Sequence, residues 1–210
     1  MKKTFLLIFL FLPFFALCQE KGFSLINNVK PLQELLAANA QKTGSISSDF
    51  LQEKNMKMLQ DKVISKGKFF YKKEDKIRIE YTTPFQYLLI MSGGNITVKD
   101  EGKTNKINAR NSKTMQSVNH VMMDCMRGTV FTNKDFSVKA YESNKQYLLV
   151  LSPIDEAMKK MFSKVQIYLG KNNTTVTELL MQENSGDYTV MKFSNIKTNA
   201  PIADALFFIR

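Results

Sequence analysis

GKFFYKKEDKIRIEYTTP, Gly67 to Pro84, holds two runs of alternating residues separated by a polar turn. In the first, Phe69 and Tyr71 share one face while Lys68, Phe70 and Lys72 share the other. In the second, Ile77, Ile79 and Tyr81 oppose Arg78 and Glu80. Successive side chains of a strand point to opposite sides, so the pattern predicts a hairpin with one apolar face and one mostly charged face.

The same period of two extends outward in both directions. Upstream lie SISSDFLQEKNMKML and VISK; downstream lie QYLLIMSG, NITVKDE and KTNKINA, with Leu89 and Met91 on the apolar side and Gly93-Gly94 as a tight turn. After a break the alternation resumes in DFSVKAYE, KQYLLVLSP, KVQIYLG, TVTELLMQE and DYTVMKFSN, and a last short strand is expected near LFFI. About eleven strands with one apolar face must curl or split into two layers. A curled sheet needs its concave side covered, and the sequence supplies helices to do it. Val29 to Gln41 carries Leu32, Leu35, Leu36 and Ala40 on one face, and DEAMKKMF after Pro153 is a short helical piece.

The longest break in the alternation is MQSVNHVMMDCMRG, Met115 to Gly128, with four methionines in fourteen residues. Met115, Val118, Met122 and Met126 fall at i, i+3, i+7 and i+11, one apolar stripe of an amphipathic helix. Such a stripe is either ordinary core or a movable cover, and methionine suits the second role because its unbranched thioether repacks easily.

Residues 1–18 have the features of an export signal: Lys2 and Lys3, the apolar run Phe5 to Leu12, Pro13, and Ala16-Leu17-Cys18 before a cleavage point at Gln19. Lipidation of Cys18 is the rival reading. Cleavage leaves residues 19–210 as one expected domain with a periplasmic destination. Its formal charge comes from 28 Lys and Arg against 19 Asp and Glu. The lysines are scattered singly, which argues against a nucleic-acid surface. Cys125 would be the one mature cysteine, so no internal disulfide forms.

No catalytic constellation, metal set or cofactor motif stands out. His120 is the only histidine and lies at i and i+5 from Cys125, on poorly matched helix faces. No nucleophile elbow, phosphate loop or dinucleotide fingerprint occurs. A binding protein fits better than an enzyme.

The residues that carry a family likeness are Gly67 to Pro84, the upstream Phe50-Leu51-Gln52, the hairpin LLIMSGGNITVKDE and the closing DYTVMKFSNIKTN with PIADALFFI. Their order resembles that of the outer-membrane lipoprotein carrier (LolA) family across nearly all of the mature chain. The resemblance implies a mainly β, α+β fold: a strongly curved antiparallel sheet forming an unclosed half-barrel, with helices as a lid over its concave apolar face. It implies a periplasmic carrier that shields lipoprotein acyl chains between the inner and outer membranes. Its partners would be an inner-membrane lipoprotein-releasing ABC transporter and an outer-membrane acceptor, and it would act as a monomer without a cofactor. The expected cavity residues are Phe50, Phe69, Tyr71, Ile77, Ile79, Tyr81, Leu89, Met91, Met115, Val118, Met122 and Met126.

The family's turn between these strands carries an arginine that holds the lid shut, followed by proline; here Lys73-Glu74 stands at that place. Lysine lacks the planar fork of arginine. Lys73 is therefore the latch candidate, unless another residue has that role. Two other functions stay open on the same scaffold: binding of another lipid or hydrophobic metabolite, and sensing of lipoproteins through a partner protein.

Overall fold

The computed structural model describes residue 20 and residues 22–59, 61–100, 103–108 and 121–209. Among these, one antiparallel sheet contains twelve strands. In chain order they are β1 (Ser24–Leu25), β2 (Ser45–Asn55), β3 (Val63–Lys72), β4 (Lys76–Thr83), β5 (Tyr87–Ser92), β6 (Asn95–Asp100), β7 (Lys103–Asn108), β8 (Phe136–Glu142), β9 (Gln146–Pro153), β10 (Phe162–Gly170), β11 (Val176–Glu183) and β12 (Tyr188–Thr198). Their spatial order is β1-β8-β9-β10-β11-β12-β2-β3-β4-β5-β6-β7. The sheet is thus two meanders joined where β12 pairs with β2, and β1 and β7 remain as open edges. The barrel is unclosed.

The predicted hairpin is present, with Phe69 opposite Ile79 and Tyr71 opposite Ile77. Gly93 and Gly94, at φ 57° and 78°, form the two-residue turn between β5 and β6. Positive φ at both central residues matches the twist of a tight hairpin, and glycine adopts it without steric cost. Gly67 serves differently. A Cβ there would lie 2.1 Å from the Glu80 carbonyl oxygen and 2.5 Å from the Phe50 ring, so its bare backbone makes room for Phe50 on the inner face.

Among the described residues three α-helices accompany the sheet: α1 (Lys30–Lys42), α2, helical through residues 121–127, and α3 (Glu156–Met161). α1 buries Leu32 and Leu36 but leaves Leu35 37% exposed, a narrower face than the sequence suggests. α3 is capped by Asp155, whose carboxylate accepts from the backbone N–H groups of Ala157 and Met158. The cap places Met158, fully buried, against the core.

The inner face divides into two clusters. One joins α1, α3 and strands β8 to β11, with Leu149, Leu151, Ile167 and Met158 at its centre. The other spans β2 to β6 and β12. α2 contributes Val121 and Cys125 to the first cluster, and Met122, Met123 and Met126 to the second. One helix touching both halves places it across the concavity of the curved sheet.

The outer face departs from expectation in one region. LFFI does not form a strand; Asp204–Phe207 is a 3-10 turn lying against β4 and β5. The segment crosses the outer face as a strap. Lys72 donates to the Ile202 carbonyl at 2.9 Å and Arg78 to the Leu206 carbonyl at 2.9 Å, while Phe207 is 1% exposed. Lys68 is exposed as predicted, but Arg78 is largely covered, because an aliphatic stem and a guanidinium fork can pair with strap carbonyls and with Glu80 at once.

Candidate functional site: an apolar trough under helix α2

Phe50, Phe69, Tyr71, Ile77 and Met91 are buried together on the inner face, and Ile79, Tyr81 and Leu89 pack against them. Met122 and Met126 approach the same cluster from α2. Met115 and Val118, the N-terminal part of the expected stripe, lie outside the described residues. Several residues of the cluster were not expected from sequence: Ile96, Met191, Phe193 and above all Met123, which is 5% exposed and more buried than Met122. Because α2 spans a concave surface, its apolar face is wider than a single stripe.

Between α2 and the sheet lies a partly open space of about 80 Å³. Its walls include Ile46, Phe69, Met122, Met126, Leu179 and Phe193, with Ser48 and Thr175 as the hydroxyl-bearing members. Small-molecule sites commonly occupy about 300–1,000 Å³. A space of this size is too small for a long ligand unless α2 moves.

Cys125 also lines this space. Burial, with Asp124 adding, pushes its thiol up to about 12, so it is a neutral apolar wall at physiological pH and not a thiolate nucleophile. Among the described residues no group of three or more His, Cys, Asp and Glu could hold a metal.

The C-terminal end of α2 is fixed at three points. Asp124 accepts from Thr129 Oγ1 at 3.0 Å and from Asn133 Nδ2 at 2.6 Å. Gly128, at φ 71°, ends the helix, and a Cβ there would stand 2.5 Å from the Leu36 carbonyl oxygen of α1. Arg127 donates from Nε to Asp75 Oδ1 at 3.1 Å and from Nη2 to Oδ2, a two-pronged contact with the β3–β4 turn. The turn presents Asp75 from a left-handed conformation, φ 60°, which aspartate tolerates better than most residues.

Lys73 makes a different contact. Its Nζ donates to the Gln41 carbonyl at 2.5 Å, at the C-terminal end of α1, where a cation also suits the helix dipole. The turn thus holds α1 through Lys73 and α2 through Asp75. Beneath it, burial raises the Tyr71 hydroxyl pKa; Asp75 adds to the rise and Arg127 opposes it.

The sequence profile of the outer membrane lipoprotein carrier protein LolA matches residues 41–210. The chain belongs to the LolA family. Among solved structures, an uncharacterized conserved protein from Thermus thermophilus shares the fold at a TM-score of 0.51 and 10% identity, over 85% of this chain and 93% of that one. A LolA superfamily protein from Nitrosomonas europaea matches with a TM-score of 0.48 and 14% identity, over 84% and 97% of the two chains. The lipoprotein LppX from Mycobacterium tuberculosis matches with a TM-score of 0.44 and 10% identity, over 82% and 96%. No curated protein sequence matches the chain.

Proposed function

We propose that the protein is an exported carrier that receives the acyl chains of lipoproteins in the trough beneath α2 and moves them from the inner to the outer membrane. The supporting observation is the cover itself: Met122 and Met126 of one helix lie over an almost wholly apolar space of about 80 Å³. Burying one CH₂ yields about 0.8 kcal/mol, so a fully buried long chain would gain on the order of 10 kcal/mol and would not be released readily. Exchange of methionine for acyl chain against the same strands reduces that gain to a reversible difference.

In this reading the donor is an inner-membrane lipoprotein-releasing ABC transporter and the acceptor lies at the outer membrane. Incubation of the mature protein with vesicles carrying a diacylated lipoprotein tests it. A soluble one-to-one complex with the lipoprotein, formed without vesicle debris, is the expected result. Extraction of phospholipid alone would favour the other-lipid reading, and extraction of neither would overturn both.

A further inference from the structure

The inner face changes character along its length. On β2 the inward residues run Ile46, Ser48, Phe50, Gln52 and Lys54, from mostly apolar to polar. The neighbours change in step. Gln52 faces Ser65 on β3, Lys54 faces Thr189 on β12, and the last inward residues of the β4–β5 pair are Tyr81 and Tyr87. Directly opposed residues share a face, so these polar groups gather at one end of the trough.

Two of them are buried without a partner. Ser65 is 8% and Thr189 7% exposed, and neither hydroxyl has a hydrogen-bond partner among the described residues. Tyr81 donates to Gln52 Oε1 at 2.8 Å, which leaves the Gln52 amide N–H groups directed elsewhere. A recess of about 410 Å³ is lined by Ser65, Tyr81, Phe85, Tyr87 and Asp100. A buried hydroxyl left unpaired carries a desolvation cost that a bound acceptor would relieve.

The charges indicate what kind of acceptor. Lys54 Nζ lies 3.8 Å from Glu183 Oε1, so its charge is already balanced, and Asp100 adds a negative charge at the margin. Lys103 lies opposite Asp100 across the β6–β7 pair, so the margin carries one charge of each sign and no excess of cations gathers there among the described residues. Neutral carbonyl oxygens find hydroxyl and amide donors.

We propose that this polar end is a head subsite, which holds the uncharged ester and amide carbonyls of a diacylglyceryl head while the tails lie under α2. The proposal rests on the carrier reading and adds orientation to it: the ligand enters in one direction, tails toward Phe69 and Met122. The same ester carbonyls occur in a free diacylglycerol and in a lipoprotein's modified cysteine.

The test compares wild type with a Ser65→Ala, Thr189→Val double variant. Removing two unpartnered hydroxyls leaves the melting temperature unchanged or raised, so loss of fold does not obscure the result. Three probes are titrated: N-phenylnaphthylamine, which has no head, dioctanoylglycerol, and a dipalmitoylglyceryl-cysteinyl peptide with a blocked amine. Expected is unchanged affinity for the first and a loss of about fivefold to tenfold for the acyl ligands. Loss for both acyl ligands assigns the subsite to ester carbonyls, and loss for the lipopeptide alone assigns it to peptide amides. Equal affinities of variant and wild type overturn the subsite and leave the carrier reading intact. A wild type that binds neither acyl ligand overturns the carrier reading, and this proposal with it.

Discussion

Arg127, in the last turn of α2, grips both carboxylate oxygens of Asp75 in the β3–β4 turn. The two are separated by 52 residues in sequence, and their side chains remain 51% and 43% exposed. An exposed pair of this kind contributes roughly 0–1 kcal/mol and is screened by salt. That scale suits a latch, which has to hold a lid without fixing it.

Asp75→Asn should therefore change lid opening more than global stability. Cys125, on the sheet-facing side of α2, reports opening through its reaction with a thiol reagent. The variant should react severalfold faster than wild type, with a melting temperature lower by only a few degrees. Raised ionic strength should speed wild type toward the variant's rate. A sharp loss of stability at an unchanged labelling rate would show that the pair belongs to the core structure instead.

Met122→Asp separates a lid from a core. An unpaired carboxylate against Phe69 and Met91 is costly, and a movable helix can avoid that cost by lifting. The expected variant keeps its cooperative sheet transition and binds more apolar dye than wild type. Loss of the whole transition, by several kcal/mol, would return α2 to ordinary core.

Gly128→Ala tests the fixed end of the same helix. The left-handed φ alone costs an L-residue about 1–2 kcal/mol, and the added methyl meets the Leu36 carbonyl. The melting temperature should fall, and the contact between α1 and α2 should loosen, seen as faster amide exchange over residues 32–37 and 121–127. Wild-type exchange in both segments would rule out the close approach.

The strap over the outer face depends on pH. Hydrogen bonds from Lys76 and then Lys72 hold Asp204 below the ordinary carboxylate range, and the bonds to Asp204 and Glu74 raise Lys76. A depressed acid contributes stability above its unfolded pKa and loses it as pH falls through its folded pKa. A raised base contributes below its unfolded pKa and loses it as pH rises through its folded one. The clasp thus holds across neutral pH and loosens in acid and in strong alkali. Proteolysis within residues 199–209 should accelerate as wild type is acidified through the carboxylate range. Asp204→Asn should be cut faster already at neutral pH and show no further acid dependence; a wild-type acid limb in that variant would remove Asp204 from the account.

The half-barrel was legible because nearly every strand alternates, and its turns carry glycine, asparagine or aspartate where the chain reverses. The inner residues Phe69, Tyr71, Ile77 and Ile79 follow from parity alone. Other features are set by tertiary structure. A run such as LFFI is too short to distinguish a strand from a 3-10 turn; what decides is that Lys72, Lys76 and Arg78 meet its carbonyls and Asp204. Met123 was missed because the stripe assumes a flat partner, whereas a concave sheet also contacts the flanks of the helix. Arg127 and Asp75 are ordinary surface residues in sequence, and no local pattern joins them.

The central claim is that acyl chains occupy the trough between α2 and the inner face of the sheet, where Phe69 of β3, Leu179 of β11 and Phe193 of β12 form its walls. A diacylated lipopeptide with a photoreactive group near the chain end measures this most directly, with adducts located by mass spectrometry. Adducts should fall on Phe69, Met91, Met122, Met126 and Phe193, and Met122→Asp should shift their yield without moving them to other strands. Adducts confined to exposed residues such as Met58 and Phe85, or to the outer face at Ile90 and Phe207, would contradict the account.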